Sequence, residues 1–235
     1  MDLVIEGLRA AMRLIVERDP AVMDAATRSL AVSLGAVAVG GGLGVVAGTL
    51  LATTRCAGRG AAILLLRMGM GLPTVLIGLV GYALLSRRGP LGDFALLYSQ
   101  TAIIACEAAL AFPIVATWVH GAIESLDARA DETARMLGAG PVRRLGTLLL
   151  ETRTAVVLAF LTAFARCFSE LGIAMIVGGN IKGQTRTLAT ATALETQRGE
   201  LGRGIAMGLI LLVIAAGVTA CSSVLDRRRG REGRG

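Results

Sequence analysis

Arg166 and Glu170 stand four residues apart inside an otherwise apolar run from 154 to 178. On a helix this spacing places both on one face, where opposite charges meet and the cost of taking either out of water falls. The chemistry open to such a pair is electrostatic. A guanidinium at a dry site can attract an anion, and a neighbouring carboxylate can hold it in place and keep the grip weak enough for release. A purely structural ion pair has the same spacing, and both readings stand at this stage. Other chemistries find little support. The single histidine, His120, excludes a His-pair metal motif. Cys56, Cys106, Cys167 and Cys221 are too scattered for metal or redox spacing and read as small packing residues. The single lysine, Lys182, follows Ile181, so no GxxxxGK[ST] phosphate loop is present. No cofactor is expected in this chain, and any ATP used with it must be hydrolysed by another chain. Ser, His and Asp show no hydrolase spacing.

The elements that must carry these residues follow from composition. The 235 residues are 54% hydrophobic and 17% charged, with mean hydropathy +0.68, against about 25% charged in soluble domains. Five stretches, 28–53, 63–85, 101–123, 154–178 and 204–224, approach or exceed the roughly 20 residues a bilayer-crossing helix needs. Eight aromatic residues in the whole chain argue against a strand barrel with aromatic girdles, so the expectation is an all-α membrane protein. Residues 1–20 lack the pattern of a secretory signal and predict an N-terminal interfacial helix, with Ile5, Leu8, Met12 and Ile15 at helical spacing and Glu6, Arg9, Arg13 and Glu17 mostly between them. Asp19 and Pro20 should end it. Residues 21–226 then form the transmembrane part and 227–235 a basic tail. Gly40, Gly44 and Gly48 make a small-residue stripe suited to close helix contact, within the chain or against a second copy. Basic residues number 12 on the side holding the 54–62 loop, the 124–153 loop and the tail, and 10 on the other. The tail's cluster predicts a cytoplasmic C-terminus and an N-terminus outside. The net charge of +7 is explained by headgroups and topology, with no nucleic acid expected.

The segment ARADETARMLGAGPVRRLGTLLLETR, 128–153, interrupts this apolar chain with charge. Thr133 to Leu137 read as helix, Gly138 and Gly140 break it, and Pro141 can open a second helix leading to the fourth span. Its apolar positions could dock in another protein's groove, or the segment could be a solvated connection. At Glu132, Ala134, Gly138, Leu148 and Leu150 it resembles the loop of ATP-binding cassette importer permeases that forms the coupling helix. Thr133 stands where that pattern has Ala, and Glu151 where it usually has Pro. GLPTVLIGLVGYALLSRRGPLG (71–92), AFARCFSELGIAMIVGGNI (163–181) and TRTLATATALET (185–196) are similar to the tungstate branch of the molybdate/tungstate permeases. Most of the resemblance falls within 70–200, with little in the first 60 residues or the tail. Ala189, where a hydroxyl is expected, and Glu107, where a neutral amide is expected, depart from it.

The resemblance implies an importer-permease fold and a homodimer. It further implies one cytoplasmic ATPase subunit gripping each copy at the 124–153 loop, and an extracytoplasmic binding protein that delivers an oxyanion, tungstate first and molybdate as the alternative. Residues implied for the path are Arg166, Glu170, Gly178, Gly179, Asn180 and Thr185. Two other classes compete. A self-contained secondary transporter or channel often has an inverted repeat, and none is visible here. A receptor or scaffold has no need of Arg67, Glu107, Arg166 and Glu170 inside its spans.

Overall fold

The computed structural model describes residues 2–54, 57–126, 136 and 140–232. Among them there are helices and turns and no strand. The first helix, α1 (Asp2–Val16), stops where expected: Arg18 turns to φ 52°, and Asp19 Oδ1 accepts from the amides of Ala21 (2.9 Å) and Val22 (3.2 Å). Pro20 takes the first position of α2 (Pro20–Ala36), where its missing N–H is not needed. The stripe Ile5, Leu8, Met12 and Ile15 is exposed, while Gly7 and Ala11 face α11 (Leu201–Glu232), so closely that a Cβ on Gly7 would lie 2.3 Å from Ile205 Cγ2.

A single turn of π-helix, Val37–Gly41, joins α2 to α3 (Gly42–Thr53), making one continuous helix of 34 residues. Its cause lies in the spacing of the buried residues. Val22, Ala25, Ser29, Val32 and Ala36 recur every three or four residues, but Ala36, Gly40, Gly44 and Gly48 recur every four. Four-residue steps overrun a 3.6-residue turn by about 40° each, and one wider turn absorbs the overrun. Both halves therefore stay packed on α6 (Gln100–Glu124), the central helix, which also touches α4 (Arg59–Met70) and α5 (Thr74–Leu85). The glycine stripe is used within the chain. A Cβ at Gly40, Gly44 or Gly48 would sit 2.2, 2.9 or 2.5 Å from the carbonyl oxygens of Ala108, Phe112 and Ala116 on α6.

Two expected spans are not single straight helices. In place of 63–85, α4 and α5 meet at 101°. Pro73 has no N–H to donate and disfavours helix at Leu72, so the chain turns at 71–73. In place of 154–178, α8 (Arg153–Phe168) ends early and α9 (Gly172–Gly178) begins after a three-residue break. At its other end α8 meets α7 (Pro141–Glu151) at a bend of 74°, where the buried Thr152 hydroxyl donates to Leu148 O at 2.8 Å. Among the described residues three helices, Pro20–Thr53, Gln100–Glu124 and Leu201–Ala220, are long and apolar enough to cross a membrane alone, and the total rises to as many as five if each bent pair is one span.

Polar ties fix the ends of this bundle. Ser29 Oγ on α2 accepts from Leu188 N (2.8 Å) at the start of α10 (Leu188–Gln197). Arg59 donates through Nε to Leu51 O (2.6 Å) and through Nη2 to Glu124 Oε1 (2.9 Å), with His120 Nε2 at 3.3 Å. The only histidine thus sits in a charged tie at the end of α6. Cys106 and Cys167 are buried free thiols, as a packing role requires. Cys56 lies outside the described residues.

Candidate functional site at the ends of α9

The break between α8 and α9 is built by one carboxylate. Arg166 lies in the last turn of α8, but Glu170 lies beyond that helix, in the turn, so the pair does not share a helical face as the i,i+4 spacing alone predicts. It forms regardless. Arg166 Nη1 donates to Glu170 Oε2 at 2.7 Å, and Glu170 Oε1 accepts from Gly172 N (2.9 Å) and Ile173 N (3.3 Å), the first amides of α9. Glu170 therefore caps one helix and holds the arginine of the other. Its side chain is 3% exposed and that of Arg166 40%, so the guanidinium keeps an open edge while the carboxylate is fully engaged.

Glu107 on α6 adds a third ionisable group. It is 2% exposed, lies within electrostatic reach of Glu170 and Arg166, and its Oε2 has no hydrogen-bond partner among the described residues. Cys167 Sγ approaches its backbone oxygen at 3.7 Å, which seats α8 against α6 there. Sequence reasoning noted Glu107 as a charge within a span without adding it to the site. The signal was its ionisable type in an apolar run; what spacing could not give was that α6 carries it to the α8–α9 break.

The other proposed path residues gather one helix away. Thr185 donates to Gly178 O (2.5 Å) and accepts from Ile181 N (2.9 Å), so its hydroxyl is used in closing the 178–185 loop. Asn180, at φ 51°, accepts from Arg186 Nε at 3.1 Å. Gly179 has φ 70°, a conformation that favours glycine, and lies so near Tyr98 that a Cβ would approach the ring to 2.8 Å. Gly178 faces Ile103 in the same way, at 2.7 Å. The seven residues of α9 separate this loop from the Arg166–Glu170 pair, about 10 Å at 1.5 Å per residue. The candidate path residues thus fall into two groups, one at each end of α9.

For the proposed docking segment, Glu132, Ala134 and Gly138 lie outside the described residues. Leu148 is 6% exposed and belongs to the core, whereas Leu150 is 69% exposed, as are Val142 and Met136 to greater degrees. Among the described residues of this region, the open apolar surface includes Met136, Val142 and Leu150.

Residues 41–231 match the family described as binding-protein-dependent transport system inner membrane component. The tungstate uptake system permease protein TupB of Peptoclostridium acidaminophilum is 34% identical over 220 residues, 94% of this chain and 96% of that protein. TupB of Campylobacter jejuni is 41% identical over 152 residues, 65% of this chain and 64% of its own. The molybdenum transport system permease protein ModB of Escherichia coli K12 is 30% identical over 179 residues, 68% and 78%. The likeness therefore reaches beyond 70–200, into the second half of the first long helix and into the tail.

Proposed function

The chain belongs to the family of binding-protein-dependent transport system inner membrane components, and on that premise we propose that it is the permease subunit of an ATP-binding cassette importer that brings tungstate into the cytoplasm. The observation that carries this reading is the near end-to-end likeness to a tungstate uptake permease, at 34% identity over 94% of the chain. Molybdate is the competing cargo, on the shorter likeness to ModB.

Two copies of the chain enclose the path, a cytoplasmic ATPase dimer supplies the ATP hydrolysis, and an extracytoplasmic protein delivers the oxyanion. The chain itself carries no cofactor. What supports a second copy or an aqueous path is the exposed turn at Gly71, Leu72 and Pro73, because non-helical backbone at membrane depth must be covered by protein or meet water. The basic tail supports a cytoplasmic C-terminus. The ATPase grips Glu132 to Gly138 together with Leu150, and closure of its dimer on ATP moves α7 and hence α8. Arg166 then draws the dianion past a barrier with its open edge, while Glu170 keeps the guanidinium in place. Coupling of this kind requires contacts that differ between two states.

The test is uptake by proteoliposomes holding the chain with its ATPase and binding protein. ATP-dependent entry of tungstate ahead of molybdate and sulfate is expected. Preference for molybdate would reassign the cargo, and absence of ATP-dependent oxyanion entry would sink the proposal.

A further inference from the structure

Away from the Arg166–Glu170 pair, a hollow of about 620 Å³ opens between the α1–α2 corner, the 182–186 loop and the start of α11, lined by Asp19, Asp24, Lys182, Arg186 and Arg203. A deeper recess of about 230 Å³ continues it toward Glu195, Arg198 and Met207. The charges at this place do not balance. Asp24 is taken by Arg28 (2.5 and 3.2 Å), Asp19 faces Arg203 at 3.6 Å, and Glu195 faces Arg198 at 3.7 Å. Each carboxylate thus has its own arginine. Lys182 and Arg186 add two further cations: Arg186 bonds to neutral Asn180, through Nε to Oδ1 and Nη2 to O (3.1 and 3.4 Å), and lies within electrostatic reach of Asp24, which Arg28 already holds, while Lys182 is exposed at the mouth.

Arg28, Lys182, Arg186, Arg198 and Arg203 together outnumber Asp19, Asp24 and Glu195 by two, an electrostatic complement to an anion with about two negative charges. Arg186 is better placed than Lys182, because Asn180 holds its planar fork in position, and such a fork suits tetrahedral oxyanions. Lys182 adds a mobile point charge. The mouth opens beside α1, whose Leu8, Met12 and Ile15 are exposed, so the anionic group can arrive free in solution or on a lipid.

We infer that this hollow is a binding site for a phosphate-like tetrahedral oxyanion, either a free ion or the phosphate of an anionic lipid headgroup, held by Lys182 and Arg186. The site lies beside Asn180, at the opposite end of α9 from the Arg166–Glu170 pair, and is read out by binding, so it stands or falls apart from uptake. In the experiment the purified transporter, without its binding protein, is placed in phosphatidylcholine nanodiscs and titrated with tungstate and with inorganic phosphate by calorimetry. A parallel preparation containing phosphatidylglycerol is examined by native mass spectrometry for retained lipid. The wild type should bind in one arm, more weakly as salt is raised. Lys182→Glu, a change at an exposed position, should weaken that binding at least tenfold, and Lys182→Arg should keep it. Binding in the first arm identifies a free ion, and retention of phosphatidylglycerol alone identifies a lipid. No binding in either arm, or equal binding by wild type and Lys182→Glu, overturns the inference.

Discussion

The seam between α3 and α6 and the joint between α8 and α9 hold neighbouring parts of one bundle by opposite means. At the seam, Gly40, Gly44 and Gly48 bring backbone against backbone, and the atoms at these close approaches are backbone and aliphatic carbon. At the joint, a single carboxylate receives one guanidinium and two amides, with a second buried carboxylate, Glu107, nearby. Close packing is bistable at best and resists gradual change. An ionic joint responds to a change in one group. The seam is therefore suited to be the fixed side of a moving permease and the joint its adjustable side.

The most damaging test addresses the seam. Gly40→Leu should prevent recovery of folded protein, since even a Cβ would lie 2.2 Å from Ala108 O and overpacking commonly costs about 1–3 kcal/mol or more. Gly42→Ala, one turn edge away in open space, should purify at the wild-type yield. Equal yields for both would end the claim of a rigid seam. Next in size is Glu170→Ala, which strips the cap from α9 and leaves Arg166 unpaired in a membrane setting. We expect uptake to vanish and the melting temperature to fall, with about 1–3 kcal/mol lost from the orphaned donors. An unchanged melting curve would show that the joint holds without its carboxylate.

A subtler substitution separates transport from support. Arg166→Gln keeps a donor for Glu170 and removes the positive charge. If the arginine's open edge serves the anion, uptake falls at least tenfold with little change in melting temperature; a parallel fall in both assigns Arg166 to structure alone. Exchanging the two residues does not distinguish these readings, because an arginine at 170 cannot accept from Gly172 and Ile173. The smallest effect is expected at Glu107→Gln. The amide preserves shape and removes a buried acid facing Glu170, so thermal stability should hold or rise slightly. A marked drop would mean that Glu107 is engaged in the assembled transporter by a group other than those described.

Much of this was legible in the residues, and the failures have local causes. The end of α1 was readable because Asp19 and Pro20 act through short-range geometry. The Arg166–Glu170 pair was readable from ionisable types in an apolar run. The break between them was not, since FSELGI contains no proline and Gly172 opens α9 instead of ending α8. Hydropathy measures how long an apolar stretch is and is silent on whether it bends, which is why 63–85 read as one span despite Pro73. The bond from Thr185 was not readable because its partner, Gly178 O, belongs to a loop whose closure depends on tertiary position. The π turn left a trace in the glycine spacing, visible only once α6 supplied the face to which every fourth residue must point.

The 101° bend between α4 and α5 has a consequence for how the protein is made. Each limb has 12 residues, about 18 Å of helix, too short to cross about 30 Å of hydrocarbon. An insertion machinery that senses hydropathy meets Arg59 to Leu85 as one apolar stretch and delivers it before its supports exist. Gly69 of α4 rests on Pro113 of α6, and Gly78 of α5 on Ile173 and Ile176 of α9, residues that leave the ribosome later. Until they arrive, nothing packed against Gly69 and Gly78 holds the two limbs at their angle. The slow, error-prone interval in the biogenesis of this chain should therefore lie between synthesis of α5 and synthesis of α9, and substitutions at Ile173 should be felt first as degradation of newly made protein.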